Sequence, residues 1–286
     1  MVVYLNGDFV DDQSAMVSVF DQGFLYGDGI YESCRSHGSH LYRFSAHYAR
    51  LIQSARALRY PLRVTEPQLR SILGELREVN RLENAYYRIM FTRGQGQVGF
   101  QRAMNGDLTS LIIAREFKGF DDGLYRDGML VRIAQTRRNA PEAINPQIKS
   151  ISNLNSLLGK LEAQAAGVAE VIMLNSRGHL CEGSASNIFW CRDGWVLTPS
   201  PATGLLEGVT RAAVMGLCEK KLKLKVVEGE YRLQDLKYSD EVFLSSTSLE
   251  VMPVVQVDDF VIKDGRVGPV ARRLRLELHR DMAAYG

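Results

Sequence analysis

Four kinds of residue in this chain could do chemistry together. Lys149 follows a turn-rich stretch, Asn139-Ala140-Pro141 and Asn145-Pro146, and precedes a helical pattern. A lysine amine can condense with an aldehyde or move a proton. Glu182 sits in the small-residue turn Cys181-Glu182-Gly183-Ser184-Ala185-Ser186 just before the apolar run Asn187-Ile188-Phe189. A carboxylate there can pair with a base. Gly208 precedes Val209-Thr210-Arg211 and opens a helix, whose first N–H groups and positive dipole end suit a phosphate. Ser245-Ser246-Thr247-Ser248 clusters hydroxyls at the end of a strand. An amine, an acid, a helix start and a hydroxyl nest match a ligand with an aldehyde, a basic ring nitrogen and a phosphate. Pyridoxal phosphate has all three. A solvated lysine and a turn-capping acid remain the alternative on these residues alone.

Other signals carry less. Gly94-Gln95-Gly96-Gln97-Val98-Gly99 follows a strand and has the G-x-G-x-x-G spacing. Only Phe100–Asp107 separates it from the next strand pattern, too short for the helix that a dinucleotide site needs. It reads instead as a glycine loop at the mouth of a site. His37 and His40 flank a turn with no third ligand at metal spacing, so no metal is expected. Cys181 reads as a buried thiol.

The elements that must hold these groups follow from periodicity. Val2–Leu5 and Phe9–Val10 flank the hairpin turn Asn6-Gly7. A strand is expected over Ile30–Ser36, then a helix capped by Ser45, then another after Thr65 with Pro67 in its first turn. Strands follow at Ala85–Thr92, Leu108–Ala114 and Met129–Ala134. The second half alternates a helix over Asn155–Ala166 with strands at Glu170–Leu174, Asn187–Cys191 and Trp195–Leu197. A helix near Val209, strands near Glu241–Leu244 and Val251–Val257, and a helix over Pro269–Ala284 complete it. The glycine-rich, acidic Gly119–Gly128 reads as a linker between residues 1–118 and 129–286. The class is α+β, with two small mixed domains.

Composition narrows the function. Of 286 residues, 35 are Lys or Arg and 33 are Asp or Glu, so a broad nucleic-acid face is not expected. Apolar residues make up 45%, ample for a core, yet no run approaches the roughly 18 residues of a membrane span. The N-terminus meets acid by Asp8 and does not read as a signal peptide. Four scattered cysteines suggest reduced thiols in the cytoplasm.

The chain resembles the class IV, fold-type IV pyridoxal-phosphate aminotransferases, a group holding branched-chain aminotransferases, D-amino acid aminotransferases and aminodeoxychorismate lyases. The pieces that carry the resemblance are YGDGIYE (Tyr26–Glu32), HYARL (His47–Leu51), NPQIKS (Asn145–Ser150), EGSASNIF (Glu182–Phe189), LEGVTR (Leu206–Arg211) and SSTSLEVMPV (Ser245–Val254). It implies a homodimer of two-domain subunits with pyridoxal phosphate between the domains. By position, Lys149 matches the lysine that holds the cofactor aldehyde, and Glu182 the acid beside the ring nitrogen. Arg50 matches the phosphate-binding arginine, Gly208, Val209 and Thr210 the helix start at the phosphate, and Ser246 and Thr247 further contacts. Where branched-chain enzymes place a tyrosine near the cofactor's phenolic oxygen, this chain has Asn153.

The resemblance also bears on substrate. Tyr86 and Arg88 match a pair that branched-chain enzymes keep near the substrate carboxylate, and strand alternation puts both on one face. Tyr31, Ser33 and Arg35 alternate likewise, and Thr247 and Ser248 lie at the hydroxyl nest. Ser33 replaces a glycine usual in branched-chain enzymes, which should narrow or polarise the pocket. D-amino acid enzymes carry an Arg-x-His pair after their glycine, and Gly94–Gln101 has no histidine. The implied reaction is amino transfer between a branched-chain L-amino acid and 2-oxoglutarate. A D-amino acid aminotransferase, an aminodeoxychorismate lyase and a non-catalytic cofactor binder are the alternatives.

Overall fold

The computed structural model describes residues 1–99 and 107–285. The chain divides into two compact units. Of the described residues, the first comprises 1–99, 107–118, 148–152 and 285; the second comprises 119–147 and 153–284.

In the first unit, β1 (Val2–Leu5) and β2 (Asp8–Asp11) form the hairpin expected at Asn6-Gly7, where both residues have positive φ. Then come α1 (Gln22–Tyr26), β3 (Gly29–His37), β4 (His40–Leu41), α2 (Phe44–Ala57), α3 (Glu66–Val79), β5 (Ala85–Thr92) and β6 (Thr109–Glu116). The six strands form one sheet in the order β2-β1-β6-β5-β3-β4. Helix α3 starts as its sequence requires: the Thr65 side chain accepts from Gln68 N–H, Gln68 bonds back to Thr65, and Pro67 lies in the first turn. Helix α2 starts one residue before the expected cap. Arg43 takes a left-handed conformation there, and the Ser45 hydroxyl instead donates to Glu66. Leu51 and Ala55 of α2 and Leu69, Leu73 and Leu76 of α3 bury one sheet face with Ile30, Tyr87, Ile89 and Ile112.

The second unit begins inside the stretch expected as a linker. Residues 122–127 form α4 (Asp122–Asp127), capped by Asp121, and Tyr125 is buried in this unit's core. Gly128 continues the packing, since a Cβ there would come within 2.3 Å of Val255. One aromatic anchor and one glycine therefore make this a packed segment. The unit continues with β7 (Met129–Ile133), α5 (Leu154–Ala165), β8 (Glu170–Leu174), β9 (Leu180–Gly183), β10 (Asn187–Arg192), β11 (Trp195–Pro199), α6 (Val209–Leu217), β12 (Val226–Gly229), α7 (Leu233–Lys237), β13 (Glu241–Ser246), β14 (Glu250–Val257), β15 (Phe260–Val261) and α8 (Pro269–Ala283). Its nine strands form one sheet, ordered β12-β11-β10-β13-β14-β7-β8-β9, with β15 on β14. Trp190, Val242, Leu244, Met252 and Val254 centre its core.

Residues 148–152 depart from the expected division at 129–286. They return to the first unit as an edge segment on β3: Tyr31 N–H donates to Lys149 C=O, Ile151 N–H donates to Gly29 C=O, and Ile30 bridges Ser150. Lys149 therefore belongs to the first sheet, although its neighbours in sequence belong to the second unit.

Candidate active site

In the first unit, Lys149 is fixed along its backbone. Its N–H donates to Ser54 Oγ at 3.0 Å, and its C=O accepts from β3. Its Nζ lies 4.4 Å from the centroid of the Tyr31 ring, and the Arg88 guanidinium lies 3.5 Å from the same centroid. A ring face attracts both cations.

Register explains why these groups meet. On β3 and β5, Ser33 pairs with Arg88 and Arg35 with Tyr86. Directly paired residues share a sheet face, so Tyr31, Ser33, Arg35, Tyr86 and Arg88 lie together on the face opposite the core. The Arg35 guanidinium sits over Phe117 and that of Arg115 over Tyr86, so cations and rings alternate across this face.

Glu32 alternates to the other side and is fully buried. It meets α2. His47, Arg50 and Ser54 lie three and four residues apart on that helix, hence on one face. Arg50 donates to Glu32 from Nε at 2.6 Å and from Nη2 at 2.9 Å. His47 Nδ1 lies 2.9 Å from Glu32 Oε2. Burial pushes the Glu32 carboxyl up, but the Arg50 charge and the hydrogen bonds from Arg50 and His47 outweigh it. The group is held well below the usual carboxylate range. An ionised carboxylate only accepts, so His47 carries its hydrogen on Nδ1. One helix face thus presents a fixed arginine and, one turn on, the hydroxyl that holds Lys149. The pairing of Glu32 and His47 with Arg50 was not read from the sequence. The available signal was a charged residue on the core side of a strand.

In the second unit, Glu182 is the penultimate residue of β9 and is buried. Its Oε1 lies 2.6 Å from Arg138 Nη2, and its Oε2 accepts from Leu206 N–H at 3.2 Å and Asn187 Nδ2 at 3.4 Å. Arg138 also bonds Asn155 and Ser156 at the start of α5. Sequence reasoning missed Arg138 and Asn187 as partners of this acid. Behind the turn, buried Glu170 accepts from Ser184 N–H and from the Ser184 and Ser186 hydroxyls. Burial pushes the neighbouring Cys181 thiol up to about 12, consistent with an inert side chain.

Gly208 is the N-cap of α6 and has no side chain, so no side-chain cap bonds the first N–H groups of the helix, those of Val209 and Thr210 among them. A Cβ on Gly208 would come within 2.2 Å of Asn187 Oδ1. Ser246, Thr247 and Ser248 close the β13–β14 hairpin, with Ser246 Oγ accepting from Leu249 N–H. Asn153 is the N-cap residue of α5. Its C=O accepts from Leu157 N–H, and its side chain makes no cap bond.

The glycine loop of the first unit is tied down through its backbone. Gln95 bridges Asp21, Gly96 N–H donates to Phe20 C=O, and Gly99 N–H donates to the Tyr26 hydroxyl. Residues 100–106, on which the argument against a crossover helix rests, lie outside the described residues.

Residues 29–257 match the family described as amino-transferase class IV. The chain belongs to this family. A Methanocaldococcus jannaschii relative, assigned to the branched-chain-amino-acid aminotransferases, is 36% identical over 96% of this chain and 94% of its own length. The D-alanine aminotransferase of Staphylococcus haemolyticus is 32% identical over 96% of this chain and 95% of its own. A branched-chain amino acid aminotransferase from T.th., solved with pyridoxamine 5′-phosphate, superposes with a TM-score of 0.94 at 28% identity, covering 100% of this chain and 95% of that one. The chain is thus an aminotransferase of fold-type IV, and its cofactor is pyridoxal 5′-phosphate. Its donor set suits that group: an amine, a buried acid, a guanidinium and a helix start whose glycine leaves room at the backbone.

Proposed function

We propose that the enzyme transfers an amino group from a branched-chain L-amino acid to 2-oxoglutarate, and that the Lys149 and Glu182 sets serve one pyridoxal phosphate. When bound, the cofactor takes up the electron pair released at the substrate α-carbon. Arg50, the N–H groups of Val209 and Thr210, and Thr247 hold its phosphate, with Ser246 and Gly208 shaping that cradle, and Asn153 takes the place of the family's tyrosine near its phenolic oxygen. Glu182 keeps a proton on the ring nitrogen, and Arg138 and Asn187 hold Glu182 in place. Lys149 Nζ would take the proton from the substrate α-carbon as general base and deliver it, as general acid, to the carbon that carried the cofactor's aldehyde. Tyr86 and Arg88 hold the substrate carboxylate by charge-assisted bonds, with Tyr31, Ser33, Arg35 and Ser248 lining the pocket.

One observation carries this reading: Arg88 and Lys149 Nζ gather on the single ring of Tyr31, on the face shared with Tyr86. An anion held by Arg88 would lie beside the amine that must reach its α-carbon. The D-alanine aminotransferase relative supports a D-amino acid as the second reading. Initial rates with L-leucine and D-alanine, each with 2-oxoglutarate, decide between them. A preference for L-leucine supports the first reading, and a preference for D-alanine reverses it.

The working unit in this proposal is a homodimer. Helix α5 exposes Leu154, Leu157, Leu158 and Leu161 at helical spacing, and the segment before β3 exposes Met16, Val19, Phe20 and Phe24. Apolar faces of this kind mark association sites. The four cysteines are buried and unbridged, which supports a reducing compartment such as the cytoplasm. Among the described residues no helix is long and apolar enough to cross a membrane.

A further inference from the structure

Within the first unit, the buried Glu32 has no part in the chemistry above, yet it is among the most constrained side chains of the molecule. It takes two hydrogen bonds from Arg50, at 2.6 and 2.9 Å, one from His47 at 2.9 Å and one from Ser33 N–H at 3.2 Å. A buried ion pair is weak evidence for stability, because apolar groups of similar volume would serve the core as well. What such a pair can supply, and apolar groups cannot, is a fixed direction for its cation.

Geometry indicates what that function is. A guanidinium is planar. Glu32 engages the edge made by Nε and one Nη2 hydrogen, and so fixes the plane and the direction of the edge made by Nη1. An arginine on a flexible stem otherwise loses rotamer freedom when it is ordered. His47 holds the carboxylate from the other side. It comes from α2, as Arg50 does, so helix and strand are clamped at the same point. Ser54, one turn beyond Arg50, fixes the backbone of Lys149. The clamp therefore sets the direction of Arg50 within the frame that carries Lys149.

We propose that Glu32, steadied by His47, is the positioning residue that aims Arg50 at the cofactor phosphate, and so sets affinity for the phosphate group and not for the ring. The inference rests on Arg50 as a phosphate ligand, and the test separates the two. Pyridoxal phosphate and pyridoxal share the ring and the aldehyde and differ only in the phosphate. The full-length chain, stripped of cofactor, is titrated with each, and the ratio of the two dissociation constants is read for the wild type and for R50A, E32Q, E32D and H47Q.

R50A should collapse the ratio. E32Q, which loses one of the two bonds to Arg50, should lower it on the order of tenfold while leaving pyridoxal affinity unchanged. E32D keeps the charge but is one methylene short, and it should behave like E32Q. H47Q should lower the ratio less. An unchanged or raised ratio in E32Q, beside a collapsed ratio in R50A, overturns the inference and leaves Arg50 as the phosphate ligand. Equal weakening of both ligands also overturns it, because Glu32 then only supports the fold. An unchanged ratio in R50A removes the reading of Arg50 itself. Should E32Q fail to fold, E32D carries the test, and an unchanged ratio there overturns the inference.

Discussion

Gly208→Ala isolates the helix start proposed to hold the phosphate. The glycine has φ −68° and ψ 137°, which alanine adopts freely, so backbone strain is not at issue. The cost is steric. The new Cβ would lie 2.2 Å from Asn187 Oδ1 and 3.2 Å from Arg211 Cβ. Asn187 cannot swing away cheaply. Its Nδ2 donates to Leu206 C=O at 3.0 Å and to Glu182 at 3.4 Å, and its backbone pairs with Ser245. Losing the neutral bond costs about 0.5–1.5 kcal/mol, and the bond to a charged group somewhat more. The other way out moves the α6 start by about an ångström and takes the Val209 and Thr210 N–H groups with it. Overpacking of this kind costs about 1–3 kcal/mol.

The cofactor-free Gly208→Ala protein should therefore unfold at lower urea, by about 1–3 kcal/mol. Its affinity for pyridoxal phosphate should fall about tenfold, the equivalent of roughly 1.4 kcal/mol. Gly216→Ala is the control on the same helix. Nothing lies within 4 Å of its added Cβ, so helix propensity alone acts, and the protein should gain up to about 1 kcal/mol. Urea unfolding followed by tryptophan fluorescence, and cofactor titration followed by absorbance, read both variants. Unchanged stability and unchanged affinity in Gly208→Ala would refute the crowding argument and the assignment of the phosphate to this helix.

Lys149→Ala should abolish turnover and the visible absorbance band of the protein-bound cofactor, and a band that persists would reassign the lysine. Leu157→Arg in the exposed stripe of α5 should give monomers by sedimentation, and an unaltered dimer would move the interface elsewhere. His47 should shape the acid side of stability. Burial pushes its pKa down against the pull of Glu32, so the fold keeps it neutral while the unfolded chain takes up a proton below about pH 6.5. Its contribution is complete above that pH and is lost as pH falls toward the folded value. His47→Gln should accordingly flatten the urea midpoint between about pH 7 and pH 5, and an equally steep profile would show that another group titrates.

What was legible in the sequence was local. Thr65, Pro67 and the leucines of α3 announce that helix before any partner is known, and the observed cap is the one they imply. Alternation on β3 and β5 placed Tyr31, Ser33, Arg35, Tyr86 and Arg88 on common faces, and register then brought the two rows together. Segments defined by distant contacts were not legible. Gly119–Gly128 has the composition of a linker, and only the packing of Tyr125 and Val255 shows otherwise. Residues 148–152 carry no mark that they pair with β3 rather than with the unit on either side of them.

Charge shows the same limit in a more useful form. Alternation alone places Glu32 on the core side of β3, between Ile30 and Cys34, where an unpaired carboxylate would cost several kcal/mol. A sequence can therefore announce that a cation must be near, without saying which one. Thirty-five lysines and arginines were available, and the fold chose the one in HYARL, which the family resemblance had already set aside for the phosphate. Glu182 shows the complement: its role was expected, but its partner Arg138 lies between the strand expected over Met129–Ala134 and the turn at Asn139-Ala140-Pro141, where no reading was made. In both cases the acid was visible and its cation was not. A burial preference is a property of one position in an element, whereas an ion pair belongs to two elements whose approach is settled only when the sheet closes.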